Sequence, residues 1–464
     1  MWILKINTMK NKLNNVAVIG QGFVGLPMAI AVANAKDNHG NHLFNVVGIE
    51  KDNLRGRFLK KTVNDGFLPI KCNDKKIYQK FEKTKKKRNY YLSTELKDIK
   101  RCKIIIVSIN FEIDSKRKKP FLELKKFFQK LTKFISKNTL IIVETTLPPG
   151  TCDKIIYPIL KSNFIKRGFK KQDVLLSYSY ERIMPGYNYY DSIVNNYRVF
   201  SGINVKSKKL CKNFLGKVLN VKKFPLTLLN SNTECEFTKI LENSYRSTNI
   251  AFIDEWTKYS KIANVDIYNV IAAIKKRDTH KNIMRPGLGV GGYCLTKDPL
   301  FAITSAKKIF KSDTKFPFVE LTMKTNRNMP FTSIDYIKEK VGIIKSKKIL
   351  ILGLSYREGI GDYRSSPSLF LSKKLKNLGG KIFVDDPLVD IEENQELRRI
   401  FNQKNKSNKY DVIIFCTPHH NYNNLNLRLF SKKSVVVDLN NVLSDKNQKK
   451  FKKLKIKLFT LGKN

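Results

Sequence analysis

The chain holds 464 residues, 42% of them hydrophobic and 11% aromatic, so it is too long for one hydrophobic core and too apolar for a disordered chain; two or three packed domains are expected. A formal net charge of +50 attracts polyanions, but the lysines are spread along the whole sequence, with local basic runs only at Lys83 to Arg88 and in the last 16 residues. That distribution implies solvated lysine-rich faces and argues against a nucleic-acid-binding protein, whose cations cluster among exposed aromatics.

Seven cysteines form no CxxC pair, and an odd number leaves one unpaired in any complete disulfide set, which fits a reducing, cytoplasmic setting. His39, His42, His280, His419 and His420 lack ligand spacing with cysteines, so no metal site is expected. No uninterrupted apolar stretch approaches the roughly 18 residues that cross a bilayer. The N-terminus shows no signal-peptide core, and Met9 lies closer to the first strand than Met1. No membrane association is expected.

In chain order, the first strand is Val16-Ala-Val-Ile19, followed by small and apolar residues from Gly25 to Ala35 that read as a helix. Asn45 to Glu50 is the next strand, and Lys103 to Ser108 and Leu140 to Glu144 follow, each separated by segments able to carry a helix. This alternation is what a parallel, doubly wound sheet requires. From about Asn230 to Asn328 long helical patterns dominate, such as Glu234 to Lys261. Strands return at Lys348 to Gly353, Lys381 to Asp385, Asp411 to Cys416 and Ser434 to Asp438. The expected fold is α/β: two Rossmann-like doubly wound parallel-sheet domains joined by a central helical domain.

Gly20-Gln-Gly22-Phe23-Val24-Gly25 is a GxGxxG placed after a strand and at the start of a helix. There the first glycine permits a tight turn, the second admits a pyrophosphate to the backbone, and the third lets helix and strand pack closely. N–H groups at the helix start face the phosphates. Glu50 ends the second strand, where an acid binds the adenosine ribose hydroxyls and repels a 2′-phosphate. The cofactor reading is therefore NAD, not NADP.

Arg285-Pro-Gly-Leu-Gly289-Val-Gly-Gly-Tyr-Cys294-Leu-Thr-Lys-Asp298 crowds small and rigid residues ahead of one cysteine. Its backbone can approach a ligand closely, and Asp298 falls on the same face if a helix starts at the cysteine. A cysteine by itself is more often inert packing than a nucleophile; the glycine density sets this one apart.

With these motifs, Glu144-Thr-Thr-Leu-Pro-Pro-Gly-Thr151, Glu181-Arg-Ile-Met-Pro-Gly186, Lys239-Ile-Leu-Glu-Asn243 and Gly353-Leu-Ser-Tyr-Arg-Glu-Gly-Ile-Gly-Asp-Tyr-Arg-Ser-Ser-Pro367, the sequence resembles the UDP-glucose/GDP-mannose dehydrogenase family over nearly its full length. The resemblance implies an N-terminal NAD-binding domain over 1–205, a helical dimerisation domain over 206–330 and a UDP-sugar-binding domain over 331–464, in a homodimer or larger homo-oligomer. It implies oxidation of a sugar C6 alcohol to the carboxylate in two steps, with Cys294 holding the aldehyde as a thiohemiacetal and then as a thioester.

By the same resemblance Lys239 and Asn243 stabilise an oxyanion and orient water, Asp298 positions or activates water, and Glu181 with Thr146 assists proton transfer. Arg55, Ser108, Thr146 and Arg364 then lie toward NAD, with Gly20, Gly22, Phe23, Val24, Gly25 and Glu50. Arg285, Gly289, Tyr356 and Arg357 lie toward the substrate, with Glu181, Arg182, Lys239 and Asn243. Arginine suits a diphosphate because its planar fork gives paired hydrogen bonds.

The sequence departs from the family pattern at Arg357, where Lys is common, at Tyr293, where Ser or His is usual, and at Pro185, which replaces an acid. The Glu-Arg-x-x-Pro-Gly form at 181 to 186 is similar to the branch acting on UDP-N-acetylhexosamines. UDP-glucose and then GDP-mannose are the alternative substrates. A non-catalytic relative is disfavoured by the intact Lys239, Asn243, Cys294 and Asp298. Products of this kind feed surface polysaccharides.

Overall fold

Leu140-Ile-Ile-Val143 is buried at every position, as a strand covered on both faces must be. It belongs to a computed structural model that describes residues 14–112, 120–391, 394–401, 409–424 and 430–463. The segment from Met1 to Leu13, on which the signal-peptide and start-site expectations rest, lies outside the described residues.

The chain divides into two units. The first comprises the described residues up to Ile70, with Asp74–Lys239 and Thr304–Asp313; the second comprises Lys71–Asn73, Ile240–Ile303 and the described residues from Thr314 on.

The first unit is built on eight strands: β1 (Asn14–Ile19), β2 (Phe44–Ile49), β3 (Tyr90–Ser93), β4 (Ile104–Val107), β5 (Leu140–Val143), β6 (Leu175–Tyr178), β7 (Arg198–Gly202) and β8 (Leu226–Leu228). Their order is β3-β2-β1-β4-β5-β6-β7-β8, parallel throughout except between β6 and β7. The chain winds outward from β1 to β3 and then returns to place β4 on the other side of β1. That reversal makes the carboxyl ends of β1 and β4 a topological switch point, the place where doubly wound sheets bind ligands.

The strands not anticipated from sequence are β3, β6, β7, β8 and one in the second unit. Each carries polar or aromatic residues, or is only three residues long, so none reads as a continuous apolar run. In β7, Arg198 is buried because it meets Glu144 at 3.0 Å.

The second unit holds β9 (Lys348–Leu352), β10 (Lys381–Asp385), β11 (Val412–Phe415), β12 (Val435–Asp438) and β13 (Lys457–Thr460), all parallel, in the order β10-β9-β11-β12-β13. Its core packs Ile349, Ile351, Leu371, Leu375, Val412 and Ile414. Between the sheets in sequence run the helices Asn232–Ile262 and Pro317–Val341. The α/β class expected from sequence, with two parallel sheets and a helical region between, is the one observed. Among the described residues no helix is long and apolar enough to cross a membrane.

Candidate active site

In the first unit the GxGxxG turn has the close packing its glycines imply. Gly20 has φ +90, and a Cβ there would lie 2.3 Å from the Ser108 carbonyl oxygen, while one on Gly25 would lie 1.8 Å from the Gly20 oxygen. These two glycines thus set the fit of loop, β4 and helix Gly25–Ala33. A Cβ on Gly22 would meet nothing within 4 Å, so this backbone stands open.

Helix Gly25–Ala33 has no side-chain cap at Val24 and no acid in its first turn, which leaves its positive end suited to a pyrophosphate. Glu50 lies just past β2 and accepts the N–H groups of Gln21 at 2.9 Å and Lys51 at 3.0 Å, with Arg55 at 3.5 Å. The donor set, the open Gly22 and the fixed acid fit NAD. Phe23 is held by the Tyr189 hydroxyl, which donates to its carbonyl, and Ser108 lies against the glycine turn.

A second group in this unit surrounds Glu181, which is buried. Lys239 donates to the Glu181 carbonyl at 2.8 Å, lies 3.8 Å from its Oε1, and sits over the Tyr180 ring. The Glu181 carboxylate also accepts the Ile183 N–H. Arg182 donates to the Tyr197 carbonyl at 2.7 Å and the Tyr180 hydroxyl at 2.9 Å. Thr146 is half-buried in the turn after β5.

Close by in sequence, Glu144 is pushed up to about 7 by burial, which its partner Arg198 opposes. Glu236, on the same helix as Lys239, accepts the N–H groups of Gly150 at 2.6 Å and Cys152 at 2.8 Å. Burial pushes its pKa up to about 8 against those bonds.

In the second unit Cys294 stands out by exposure. None of the seven cysteines is in a disulfide, and six are buried while Cys294 is exposed. Burial pushes the thiols of Cys102, Cys211 and Cys416 up to about 12 and also raises those of Cys152 and Cys235, which makes them poor thiolates.

The Cys294 carbonyl accepts the Asp298 N–H at 2.9 Å. This is a single turn; the helix begins only at Leu300. Asp298 is fully buried, and its carboxylate accepts Asn243 Nδ2 at 2.8 Å and Lys297 Nζ at 2.7 Å. A buried carboxylate without such partners would be very costly. Lys297 in turn lies over the Tyr293 and Phe301 rings. Lys297 belongs to none of the candidate sets named from sequence, and its place beside Asp298 is the local signal that points to it.

Lys239 and Asn243 share one helix a turn apart, yet each ends on its own partner, Glu181 for the first and Asp298 for the second.

The glycines before Cys294 meet the loop after β9. A Cβ on Gly292 would lie 2.7 Å from the Tyr356 ring, and one on Gly291 would lie 2.8 Å from Tyr356 Cβ. Tyr356 is pushed up to about 12, chiefly by burial and then by Asp362 and Cys294. Gly289 has φ +152 and packs against Pro330 and Pro367. Arg285 is exposed, and Arg357 lies 3.7 Å from Glu358. Arg364 makes a paired contact with Asp362 at 2.9 and 2.7 Å. Among the described residues no group of three or more His, Cys, Asp or Glu is arranged to hold a metal ion.

Residues 14–218 match the NAD binding domain of the UDP-glucose/GDP-mannose dehydrogenase family, 233–328 its central domain and 350–445 its UDP binding domain. The UDP-N-acetyl-D-mannosamine dehydrogenase of Pyrococcus horikoshii is 25% identical over 440 residues, which is 93% of this chain and 96% of that protein. The UDP-N-acetyl-D-glucosamine 6-dehydrogenase of Salmonella typhi is 27% identical over 438 residues, 92% of this chain and 96% of that one.

Among solved structures, a UDP-glucose dehydrogenase from Pyrobaculum islandicum superposes with a TM-score of 0.80 at 17% identity over 98% of this chain and 99% of that chain, which speaks to the fold alone. The chain belongs to the UDP-glucose/GDP-mannose dehydrogenase family and is an NAD-dependent UDP-sugar dehydrogenase.

Proposed function

We propose that the protein oxidises the C6 alcohol of a UDP-N-acetylhexosamine to the uronate through a covalent adduct on Cys294. The observation that carries this is the exposure of Cys294, alone among seven thiols, one turn from a carboxylate fixed by Asn243 and Lys297. The names of relatives from Pyrococcus horikoshii and Salmonella typhi, together with the Glu181-Arg-Ile-Met-Pro-Gly186 motif, support the N-acetylhexosamine.

NAD, when bound at the Gly20–Gly25 turn, takes up the electrons of both oxidations. The Cys294 sulfur adds to the C6 aldehyde, its S–H proton passing to the new oxygen, to give a thiohemiacetal. Loss of two electrons and two protons from that adduct leaves a thioester. Water then adds at the acyl carbon, the C–S bond breaks, and the uronate leaves as the thiol is restored.

Asp298 positions this water. Lys239 and Asn243 supply a cation and an amide for the oxyanion, and Glu181 with Thr146 passes the proton. Retention on sulfur keeps the aldehyde from escaping between the two oxidations. Tyr356, Arg357 and Arg285 are assigned to the UDP-sugar, and Arg364 to NAD.

The long helix Asn232–Ile262 exposes Leu241, Tyr245, Phe252, Trp256 and Tyr259 at 48–60%, a stripe at helical spacing that supports pairing with a second copy of the chain. Seven cysteines outside any disulfide support a cytoplasmic setting. The product is assigned to surface polysaccharide synthesis.

The direct experiment follows NADH formation with the UDP-linked forms of N-acetylmannosamine, N-acetylglucosamine, N-acetylgalactosamine and glucose, and with GDP-mannose. Turnover of an N-acetylhexosamine with two NADH per uronate is expected. Preference for UDP-glucose would overturn the substrate, and release of free aldehyde would overturn the covalent course.

A further inference from the structure

A buried polar cluster in the second unit lies at the end of the strands that carry the Tyr356 loop. Gly353 turns the chain out of β9 with φ +96, and a Cβ there would lie 2.4 Å from Thr417 Cβ. Beyond it, Asp386 Oδ2 accepts the N–H groups of Leu354 and Ser355 at 2.7 and 2.8 Å and the Ser355 hydroxyl at 2.9 Å. Its Oδ1 accepts from Leu388 and Val389. Burial works against the charge, but the hydrogen bond from His419 and the backbone donors outweigh it and hold the carboxyl at about 2. Asp386 is therefore a pure acceptor at neutral pH.

His419 is 1% exposed. Its Nε2 lies 2.8 Å from Ser355 Oγ and 3.2 Å from Asp386 Oδ2. Ser355 gives its own proton to Asp386, so both neighbours of Nε2 accept and Nε2 carries the ring proton. On the other side the Gly359 N–H points at Nδ1 from 3.3 Å. A backbone N–H can only donate, so Nδ1 is unprotonated. His419 is thus the neutral Nε2–H tautomer, joining the strand ends to the middle of the loop. The loop is closed at its base by the Tyr356 N–H, which donates to the Asp362 carbonyl at 2.9 Å.

We propose that His419 is a positioning residue for the UDP-sugar site: through Nδ1 it accepts the Gly359 N–H and so sets the Ser355–Asp362 loop in the form that presents Tyr356 and Arg357 to the nucleotide. This rests on the reading of that loop as part of the UDP-sugar site. The ring does not touch the substrate. The middle of the loop is also held by the Asn73 N–H on the Gly359 carbonyl at 3.0 Å and by the Gly361 N–H on the Lys71 carbonyl at 2.9 Å. Loss of the His419 bond therefore removes one of its supports, and the conformations the loop gains must be given up on binding.

The test titrates UDP and, separately, NAD into the full-length chain and its variants by calorimetry, with steady-state kinetics on the accepted UDP-sugar. His419→Ala is expected to weaken UDP binding and raise KM about tenfold, with kcat and NAD binding close to wild type. In His419→Asn the side-chain oxygen falls where Nδ1 was and accepts from Gly359, so most of the UDP affinity returns. His419→Gln restores only the donor toward Asp386 and does not rescue.

Equal UDP affinity in His419→Asn and His419→Ala, or loss of NAD binding in step with UDP, would overturn the proposal. So would a ring-nitrogen NMR signal showing protonated Nδ1 in the wild-type chain, a measurement that needs no variant to fold. A wild-type chain that fails to bind UDP removes the site reading and this proposal with it; wild-type binding with unaltered variants removes the proposal alone.

Discussion

Asn243 gives its side-chain amide to Asp298 at 2.8 Å, and Lys297 approaches the other oxygen of the same carboxylate at 2.7 Å. Two partners from two segments thereby fix a carboxylate with no access to solvent. Lys297→Met removes one and leaves a buried charge half-paired, so a loss of about 3 kcal/mol in a denaturant midpoint series is expected. Adding Asp298→Asn should recover much of that stability without recovering turnover.

Cys294 is predicted to be needed only after the first oxidation. Cys294→Ser should retain NAD binding and lose steady-state uronate formation by at least about a thousandfold, since an alkoxide is a far poorer leaving group than a thiolate. Mass spectrometry of the variant mixed with substrate and NAD should show a trapped ester or a stalled aldehyde. Unchanged uronate formation would exclude the covalent role.

The glycine turn separates stability from cofactor binding. Gly22 has open space where a Cβ would go, so Gly22→Ala should leave thermal stability unchanged and weaken NAD by about tenfold or more through contact with the pyrophosphate. Gly25→Ala places a Cβ 1.8 Å from the Gly20 oxygen and should lose both stability and NAD binding. Calorimetric titration beside a thermal melt distinguishes the two.

Glu236 gives the first unit a pH signature. Its carboxyl is raised from the usual range to about 8 by burial, so the folded chain holds a proton that the unfolded chain releases near pH 4.5. A group shifted upward stabilises below its unfolded pKa and loses that contribution as pH rises toward the folded value. Stability should therefore fall between about pH 4.5 and 8, and Glu236→Gln should flatten that slope while costing about 1–3 kcal/mol, since its amide nitrogen faces a backbone donor. Urea midpoints across that range provide the check.

The apolar stripe on helix Asn232–Ile262 predicts a concentration-dependent assembly. Trp256→Glu, at a position 48% exposed, should leave the folded monomer intact and shift light-scattering mass toward one copy. A wild-type chain that is monomeric at micromolar concentration would overturn the pairing.

The sequence by itself determined the α/β class, the NAD cofactor and the family. Continuous apolar strands, a GxGxxG at a strand-to-helix turn and a glycine-rich cysteine segment are local patterns, set by packing within a few residues. Polar-rich strands such as β7 stayed hidden, because Arg198 is buried only by virtue of Glu144 far away in the chain. Cys294 could be singled out by its glycines, but that it is the exposed thiol among seven emerged only when folding buried the other six.

Asp298 and Asn243 were legible as residues, whereas the bond between them was not, nor was the His419 tautomer. Hydrogen bonds of this kind join segments tens of residues apart, and their donors and acceptors acquire meaning only once the tertiary fold has excluded water from between them.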